Sequence, residues 1–313
     1  MKVVSLFSGA GGMDLGLALE GHEIVWANDI FDDAVRTYRK NIGHQVDERE
    51  ISSIPSQQIP DADVIVGGFP CQGFSVANSN RTVNDPRNLL YKEMVRVIRD
   101  KKPKYFVCEN VKGLVSLGGG QILQNIVNDL QEIGYEVQHK VLNAADYGVP
   151  QRRMRLIIFG TRNDLPLPHV FPPQPTHSAP EKANGVKRPW VTVGEALVRF
   201  PEPDGTLKLY PNHECSKYKL RFNGHLGHRV VDPNKPSPTV TARGDEKGGV
   251  VVLHHPNNKR RMTAREMAAV QTFPDSFEFV GTKTSAYRQI ANAVPVLLAR
   301  AIGRMLHEAE KVS

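Results

Sequence analysis

Short apolar runs alternate with helical spacings through the first half of the chain, and glycine-bearing turns separate them. Residues 3–7 form the first run, with Val3, Val4, Leu6 and Phe7, and Gly9, Gly11 and Gly12 separate it from a helical stretch reaching Glu20. Residues 22–27, 63–66, 104–108, 135–142 and 156–160 are further buried-strand candidates. Between them, 32–40, 89–99 (Leu90, Met94, Val97, Ile98) and a stretch carrying Ile122, Leu123, Ile126, Val127, Leu130 and Ile133 are spaced as helices. Short, fully apolar strands alternating with amphipathic helices predict an α/β fold built on a doubly wound, Rossmann-like sheet. The period is lost from 163 to 189, where proline, histidine and polar residues mark a linker. Beyond it, 191–279 is rich in loops, with strand candidates only at 239–242 and 250–253. A last amphipathic helix, with Leu297, Leu298, Ala301, Ile302, Met305 and Leu306 on one face, is expected to dock back onto the first unit. The predicted organisation is one domain from 1–165, completed by 282–313, and a smaller domain over 166–281 whose linker is 166–190.

Candidate chemistry collects at the ends of these strands. Val64, Ile65 and Val66 run into Gly67, Gly68, Phe69 and Pro70, which deliver Cys71 just past a strand end, where open α/β sheets bind ligands. A long polar loop follows, so Cys71 is read as a nucleophile at the root of a closing loop, the alternative being an inert buried thiol. The glycines after the first strand match neither the dinucleotide pattern nor a phosphate loop, which favours a nucleoside-type ligand over one bound by a phosphate chain, with a simple structural turn as the alternative. Asp29 ends the second strand and either caps the next helix or accepts ribose hydroxyls. Glu50 and Ile51 offer a weaker polar and apolar contact to a base. Glu109 ends the strand at 104–108, where a carboxyl group can exchange a proton or a hydrogen bond with substrate, or cap a helix. Cys108 reads as core. Arg152, Arg153 and Arg155 precede the strand at 156–160; strand alternation puts Arg153 and Arg155 on one face.

Composition adds a partner class. Over 313 residues, 40 Lys and Arg against 33 Asp and Glu give a net charge of +7, and basic residues such as Arg229, Arg243, Lys259 and Arg260 crowd the second region. That suits a polyanion such as duplex DNA. Three scattered cysteines fit a reducing compartment, and with no leader or spanning segment the expected location is the cytoplasm. His213, Cys215, His225 and His228 lack the Cys-x-x-Cys spacing of zinc modules, so no metal is expected.

Together these residues make the chain resemble the bacterial-type DNA (cytosine-5) methyltransferase family over nearly its full length. Phe7-Ser8-Gly9-Ala10-Gly11-Gly12 is similar to the family's cofactor loop, Pro70-Cys71-Gln72 to its nucleophile motif, Glu109-Asn110-Val111 to its acid motif and Gln151-Arg152-Arg153-Met154-Arg155 to its arginine motif. Arg265-Glu266 with Gln271-Thr272-Phe273-Pro274 and Asn292-Ala293-Val294-Pro295 resemble the last two, and all six come in the family's order. Ala291 departs from the glycine usual before that asparagine. The resemblance implies S-adenosyl-L-methionine as cofactor, with Gly9, Gly11 and Gly12 in its loop, Phe7 against the adenine, Asp29 on the ribose and Ile30, Glu50 and Ile51 around the base. Pro70, Leu90, Asn292 and Ala293 would close the pocket. It implies Cys71, Glu109, Arg153 and Arg155 as catalytic residues, and DNA contacts from Gln72, Ser75, Arg87, Arg243 and the Thr239-Val240 pair. Double-stranded DNA is the implied partner, with no membrane or obligate protein partner and with a restriction endonuclease acting on the same site as a possible companion. A transfer-RNA cytosine-5 methyltransferase and a catalytically silent DNA binder are the rival readings.

Overall fold

The computed structural model describes residues 1–70, 90–183, 185–203, 210–215, 228–241 and 252–312. In the first part, β1 (Lys2–Leu6), α1 (Gly12–Leu19), β2 (Glu23–Asn28), α2 (Asp32–Asn41), β3 (Val46–Asp47) and β4 (Val64–Gly67) are followed by α3 (Leu90–Lys101), β5 (Tyr105–Val111), α4 (Gln121–Glu132), β6 (Tyr135–Asn143) and β7 (Met154–Arg162). They form a seven-stranded sheet in the order β3-β2-β1-β4-β5-β7-β6. The chain leaves β1 toward β2 and β3, then returns to build β4 and β5 on the other side, so the switch in strand order lies between β1 and β4. Crevices at such a switch are where open sheets bind ligands.

Strands β1 to β5 are mutually parallel, whereas β7 runs antiparallel to both β5 and β6. The reversal brings the start of β7 to the edge where β1, β4 and β5 end. Arg155 pairs with Val111, and Ile157 with Glu109. A motif placed before a strand therefore meets one placed at a strand end.

Alternate side chains of the central strands leave on opposite faces. Val4, Leu6, Ile65, Phe106 and Ile158 pack under α3 and α4 through Met94, Val97, Ile98, Leu123 and Ile126. Val3, Val64, Val66, Val107 and Ile157 face α1 and the last helix, through Leu17, Leu298, Ile302 and Leu306. Each such side chain contributes roughly 1.5–3 kcal/mol when fully buried. Cys108 lies in the first of these cores beside Met94, and burial pushes its thiol pKa up.

The second part carries β8 (His177–Ser178), β9 (Arg188–Pro189), α5 (Val193–Leu197), β10 (His228–Val230), β11 (Val252–His254), α6 (Ala264–Val270), α7 (Lys283–Asn292) and α8 (Val296–Glu310). Helices α5 to α7 share a third core with Val231, Val240, Phe273, Phe277 and Phe279. Helix α8 docks on α1 as expected, and Gly16 permits the close approach: a Cβ there would lie 2.3 Å from the Cβ of Ala299. Residues 239–241 are not a strand. Instead the segment is fastened alongside 150–153, with Ser237 N donating to Pro150 O at 2.9 Å and Arg152 N to Ser237 O at 2.8 Å. Among the described residues no helix is long and apolar enough to cross a membrane.

Candidate active site

A cavity of about 550 Å³ opens at the switch point. Phe7, Gly9, Asp29, Ile30, Glu50 and Ile51 line one end of it. Glu109 and Arg155 line the other, with Pro70, Leu90, Arg153, Asn292 and Ala293 also in its wall. Gly11 and Gly12 are not in the wall. Gly11 begins α1 in the left-handed region (φ 86°), where a Cβ would lie 2.1 Å from Ile42 Cδ1, and a Cβ on Gly12 would lie 2.4 Å from Val294 O, so Gly11 lets α1 start against α2 and Gly12 lets it approach the 293–294 turn.

At the first end, Phe7 itself adopts φ 55°, a strained backbone for a bulky residue that turns the chain sharply out of β1. Asp29 is not the cap of α2, whose N-cap is Phe31. Its carboxyl instead braces the loops: Oδ2 accepts from Gly9 N at 2.8 Å and Oδ1 from Phe31 N at 2.8 Å. Burial raises its pKa, and those two amides together with the Arg288 charge oppose the rise. A carboxylate has about four acceptor positions, so each oxygen can still take one hydroxyl donor.

Beneath this loop lies a network that hydrophobic patterning alone does not show. Asp14 on α1 is fully buried; Ser5 Oγ donates to its Oδ1 at 2.6 Å and Tyr38 OH to its Oδ2 at 2.8 Å. Burial lifts its pKa to about 6 against the pull of those hydrogen bonds. The only sequence signal was an acid on the inward side of the first helical turn.

At the far end, Arg155 Nε sits 2.7 Å from Glu109 Oε1, each side chain about a tenth exposed (11% and 11%). Burial lowers the Arg155 pKa and the Glu109 charge restores part of it. Glu109 belongs to β5 itself rather than to the residues after the strand. A Cβ on Gly68 would come within 3.2 Å of Glu109 Oε2, which explains why the β4 exit needs a glycine there. Asn110 Nδ2 donates to Phe69 O at 3.2 Å and so fixes the backbone just ahead of Pro70.

Arg153 and Arg155 both border the cavity, but they do different things. Arg153 is buried and meets backbone carbonyls: Nη2 donates to Ala291 O at 2.6 Å and Ala293 O at 3.1 Å, and Nη1 to Val240 O at 3.2 Å. Burial, with Arg155 alongside, lowers its pKa. The neighbouring Gln151 accepts from Val240 N at 2.9 Å and donates to Gln271 Oε1 at 2.6 Å, and Gln271 Nε2 reaches Ile290 O at 2.7 Å. Thr239 Oγ1 donates to Arg152 O at 2.8 Å, while the Val240 side chain lies in the third core. Thr239 and Val240 are thus bolted to the start of β7, and the 291–293 wall of the cavity shares the same bolts.

Cys71, Gln72, Ser75, Arg87, Arg243 and His225 lie outside the described residues. His213 hydrogen-bonds Thr263 and Pro201 through its two ring nitrogens.

A family model described as C-5 cytosine-specific DNA methylase matches residues 1–308. The chain is 40% identical to the type II methyltransferase M.NgoFVII of Neisseria gonorrhoeae over 94% of its length and 83% of that protein's. It is 37% identical to the type II methyltransferase M.BspRI of Lysinibacillus sphaericus over 97% of its length and 81% of the relative's. In fold it is similar to an E. coli prophage-encoded protein described as a DNA modification methyltransferase (TM-score 0.77, 24% identity, 99% of each chain) and to S. pombe Dnmt2 (TM-score 0.72, 23% identity, 98% of each). The chain belongs to the C-5 cytosine-specific DNA methylase family and is a DNA cytosine-5 methyltransferase.

Proposed function

We propose that the protein moves a methyl group from S-adenosyl-L-methionine to carbon 5 of a cytosine flipped out of duplex DNA, through a transient covalent bond to Cys71. The observation that carries this reading is the single cavity that joins the Asp29 end to the buried Glu109–Arg155 pair, with Pro70 in its wall immediately before Cys71.

The residues present fit the cofactor. Asp29 retains acceptor positions for two ribose hydroxyls, Phe7, Ile30 and Ile51 offer apolar faces to an adenine, and Leu90, Asn292 and Ala293 border the same space. When bound, S-adenosyl-L-methionine supplies an electrophilic methyl group on a sulfonium. Gly9 belongs to the loop that Asp29 braces; Gly11 opens α1 after that loop, and Gly12 lets the helix meet the 293–294 turn.

Carbon 5 of cytosine is a poor nucleophile until something adds to the ring. Cys71 as thiolate adds to carbon 6, breaking aromaticity and giving carbon 5 enamine character. Glu109 engages ring nitrogen 3 and the exocyclic amine, so that charge pushed into the ring is met where it develops. Arg155, held by Glu109, offers donors to the carbonyl oxygen of the cytosine, and its positive charge favours thiolate over thiol. Arg153 contributes by holding the wall at Ala291 and Ala293 in place. After methylation the carbon 5 proton leaves, its electrons re-form the ring double bond, and the sulfur departs as thiolate. A stacked cytosine is out of reach of these groups, so extrusion costs a few kcal/mol, offset by DNA contacts. Gln72, Ser75, Arg87, Thr239 and Arg243 are proposed for those contacts, with Val240 acting from the core. The catalytic unit is proposed as 1–165 with 282–313, the target-reading unit as 166–281, and the site of action as the cytoplasm.

The test is transfer of labelled methyl to unmethylated genomic DNA and, in parallel, to total RNA, with sequencing of the modified DNA. Methylcytosine confined to one short motif, abolished by Cys71→Ser with cofactor binding intact, is the expected result. Label appearing in transfer RNA alone, or normal turnover by the serine variant, would overturn the reading.

A further inference from the structure

On α7, Arg288 reaches across the rim of the cavity with its guanidinium 4.3 Å from the centroid of the Phe31 ring. The Phe31 backbone amide is one of the two donors to Asp29, so one turn connects the arginine to the carboxylate. Arg288 is exposed, while its neighbour Gln289 is buried and tied to Val280 O at 2.8 Å, which anchors the helix from the other side. The charges around Asp29 are otherwise mostly acidic. Asp14 comes from α1, Asp32 and Asp33 from the start of α2, and Glu50 from across the cavity. The cations nearby are engaged elsewhere: Arg36 pairs with Asp33 and Arg49 with Asp47. Among the described residues Arg288 makes no carboxylate pair of its own, yet its charge acts on Asp29.

We propose that Arg288 is a positioning residue for the nucleoside half of the cofactor: its guanidinium stacks on Phe31 to hold the turn and supplies the positive charge that keeps Asp29 an acceptor. The inference rests on the S-adenosyl-L-methionine reading above. The sign follows from the geometry. Two ribose hydroxyls need an ionised acceptor, burial works against ionisation of Asp29, and the cation works for it. Cofactor affinity then falls as pH drops through the Asp29 pKa. Removing the cation moves that fall to higher pH.

The experiment is calorimetric titration of S-adenosyl-L-methionine into the full chain between about pH 5.5 and 8.5, with Arg288→Met, Arg288→Lys and Asp29→Asn. A screened charge at this exposure is worth roughly a three- to fivefold change in affinity. Arg288→Met should therefore bind about that much more weakly at the acid end of this range and converge on the wild type toward its alkaline end. Arg288→Lys should follow the wild type, and Asp29→Asn should bind weakly with a flat pH profile. Equal affinities for wild type and Arg288→Met at every pH would overturn the proposal, as would a uniform loss that lysine does not restore. A wild type that does not bind the cofactor would bring down the underlying cofactor reading instead.

Discussion

Replacing Arg153 with methionine tests whether the buried guanidinium is a structural bolt or a group reserved for substrate. Three carbonyls, of Val240, Ala291 and Ala293, accept from it. Hydrogen bonds from a charged donor contribute about 1.5–3 kcal/mol each, but among the described residues this guanidinium makes no ion pair with a carboxylate, Glu109 acting on it only through its charge, and burying it costs several kcal/mol. The net worth of the arrangement against water is therefore small. The cost of truncation is larger, because methionine fills the space and cannot donate. Ala293 O keeps a second donor in Gln271 Nε2 at 3.1 Å, so the Val240 and Ala291 carbonyls bear the loss. At roughly 1–3 kcal/mol for each unsatisfied acceptor, partly offset by relief of the buried charge, the variant should lose about 3 kcal/mol. For 313 residues at about 2.1 cal/mol/K per residue, 1 kcal/mol corresponds to roughly 1.5 °C, so the Tm should fall by about 5 °C. Thermal unfolding of wild type, Arg153→Met and Arg153→Lys reads this directly, with lysine intermediate because one ammonium replaces the fork. Cofactor affinity should fall alongside, since two of the three carbonyls belong to the cavity wall. A methionine variant that melts within about 1 °C of the wild type and binds cofactor normally would refute the reasoning.

Glu109→Gln keeps an acceptor for Arg155 but removes the charge opposite the substrate ring; kcat should drop about 10²- to 10⁴-fold with cofactor affinity nearly unchanged, and a loss confined to KM would count against its role. Asp14 has its pKa raised from 3.8 to about 6 in the folded protein, so its contribution to stability is full below about pH 4 and lost as pH rises through 6, a difference of about 3 kcal/mol. Asp14→Asn lacks that dependence, and its Tm relative to wild type should climb by about 4 °C between pH 4 and 7.5; a flat difference would show that Asp14 is not what titrates. Gly16→Ala places a methyl 2.3 Å from the Ala299 Cβ and 2.7 Å from Val296 O, so overpacking should cost about 1–3 kcal/mol and a few degrees of Tm, and an unchanged Tm would show that α1 and α8 can separate freely.

The strands and helices of the first part were legible because each is a short apolar run or an amphipathic period, and packing on both faces of one sheet imposes just those patterns. The convergence of Asp29, Glu109 and Arg155 on one cavity was legible for a different reason: each lies at or close to a strand end, and the topology carries those ends to one edge. The direction of β7 was not, because its apolar core reads the same in either direction; only pairing with β5 fixes it. Helix α6 is seven residues of mixed character, too short for a period, although Thr263 and Glu266 form the capping box that marks its start. The task of Arg153 was hidden too, since alternation places a side chain on a face without saying whether its partner there is ligand, carboxylate or backbone.

The joint between the start of β7 and the segment proposed to read the target is polar where an apolar one would bury as much surface. Val240 supplies an apolar side chain to the third core, yet its backbone is held by Gln151 and Arg153, and Gln151 is held in turn by Gln271. Apolar contacts tolerate sliding by a fraction of a side chain; hydrogen bonds from a glutamine and a guanidinium to named carbonyls and amides do not. With Ala291 and Ala293 on the same guanidinium, a shift at residue 240 cannot occur without loading the cavity wall. On the mechanism proposed above, a cytosine delivered by contacts on one side of this joint would have to meet Glu109 and Arg155 within about 0.5 Å, and a buried polar lattice suits the holding of that register.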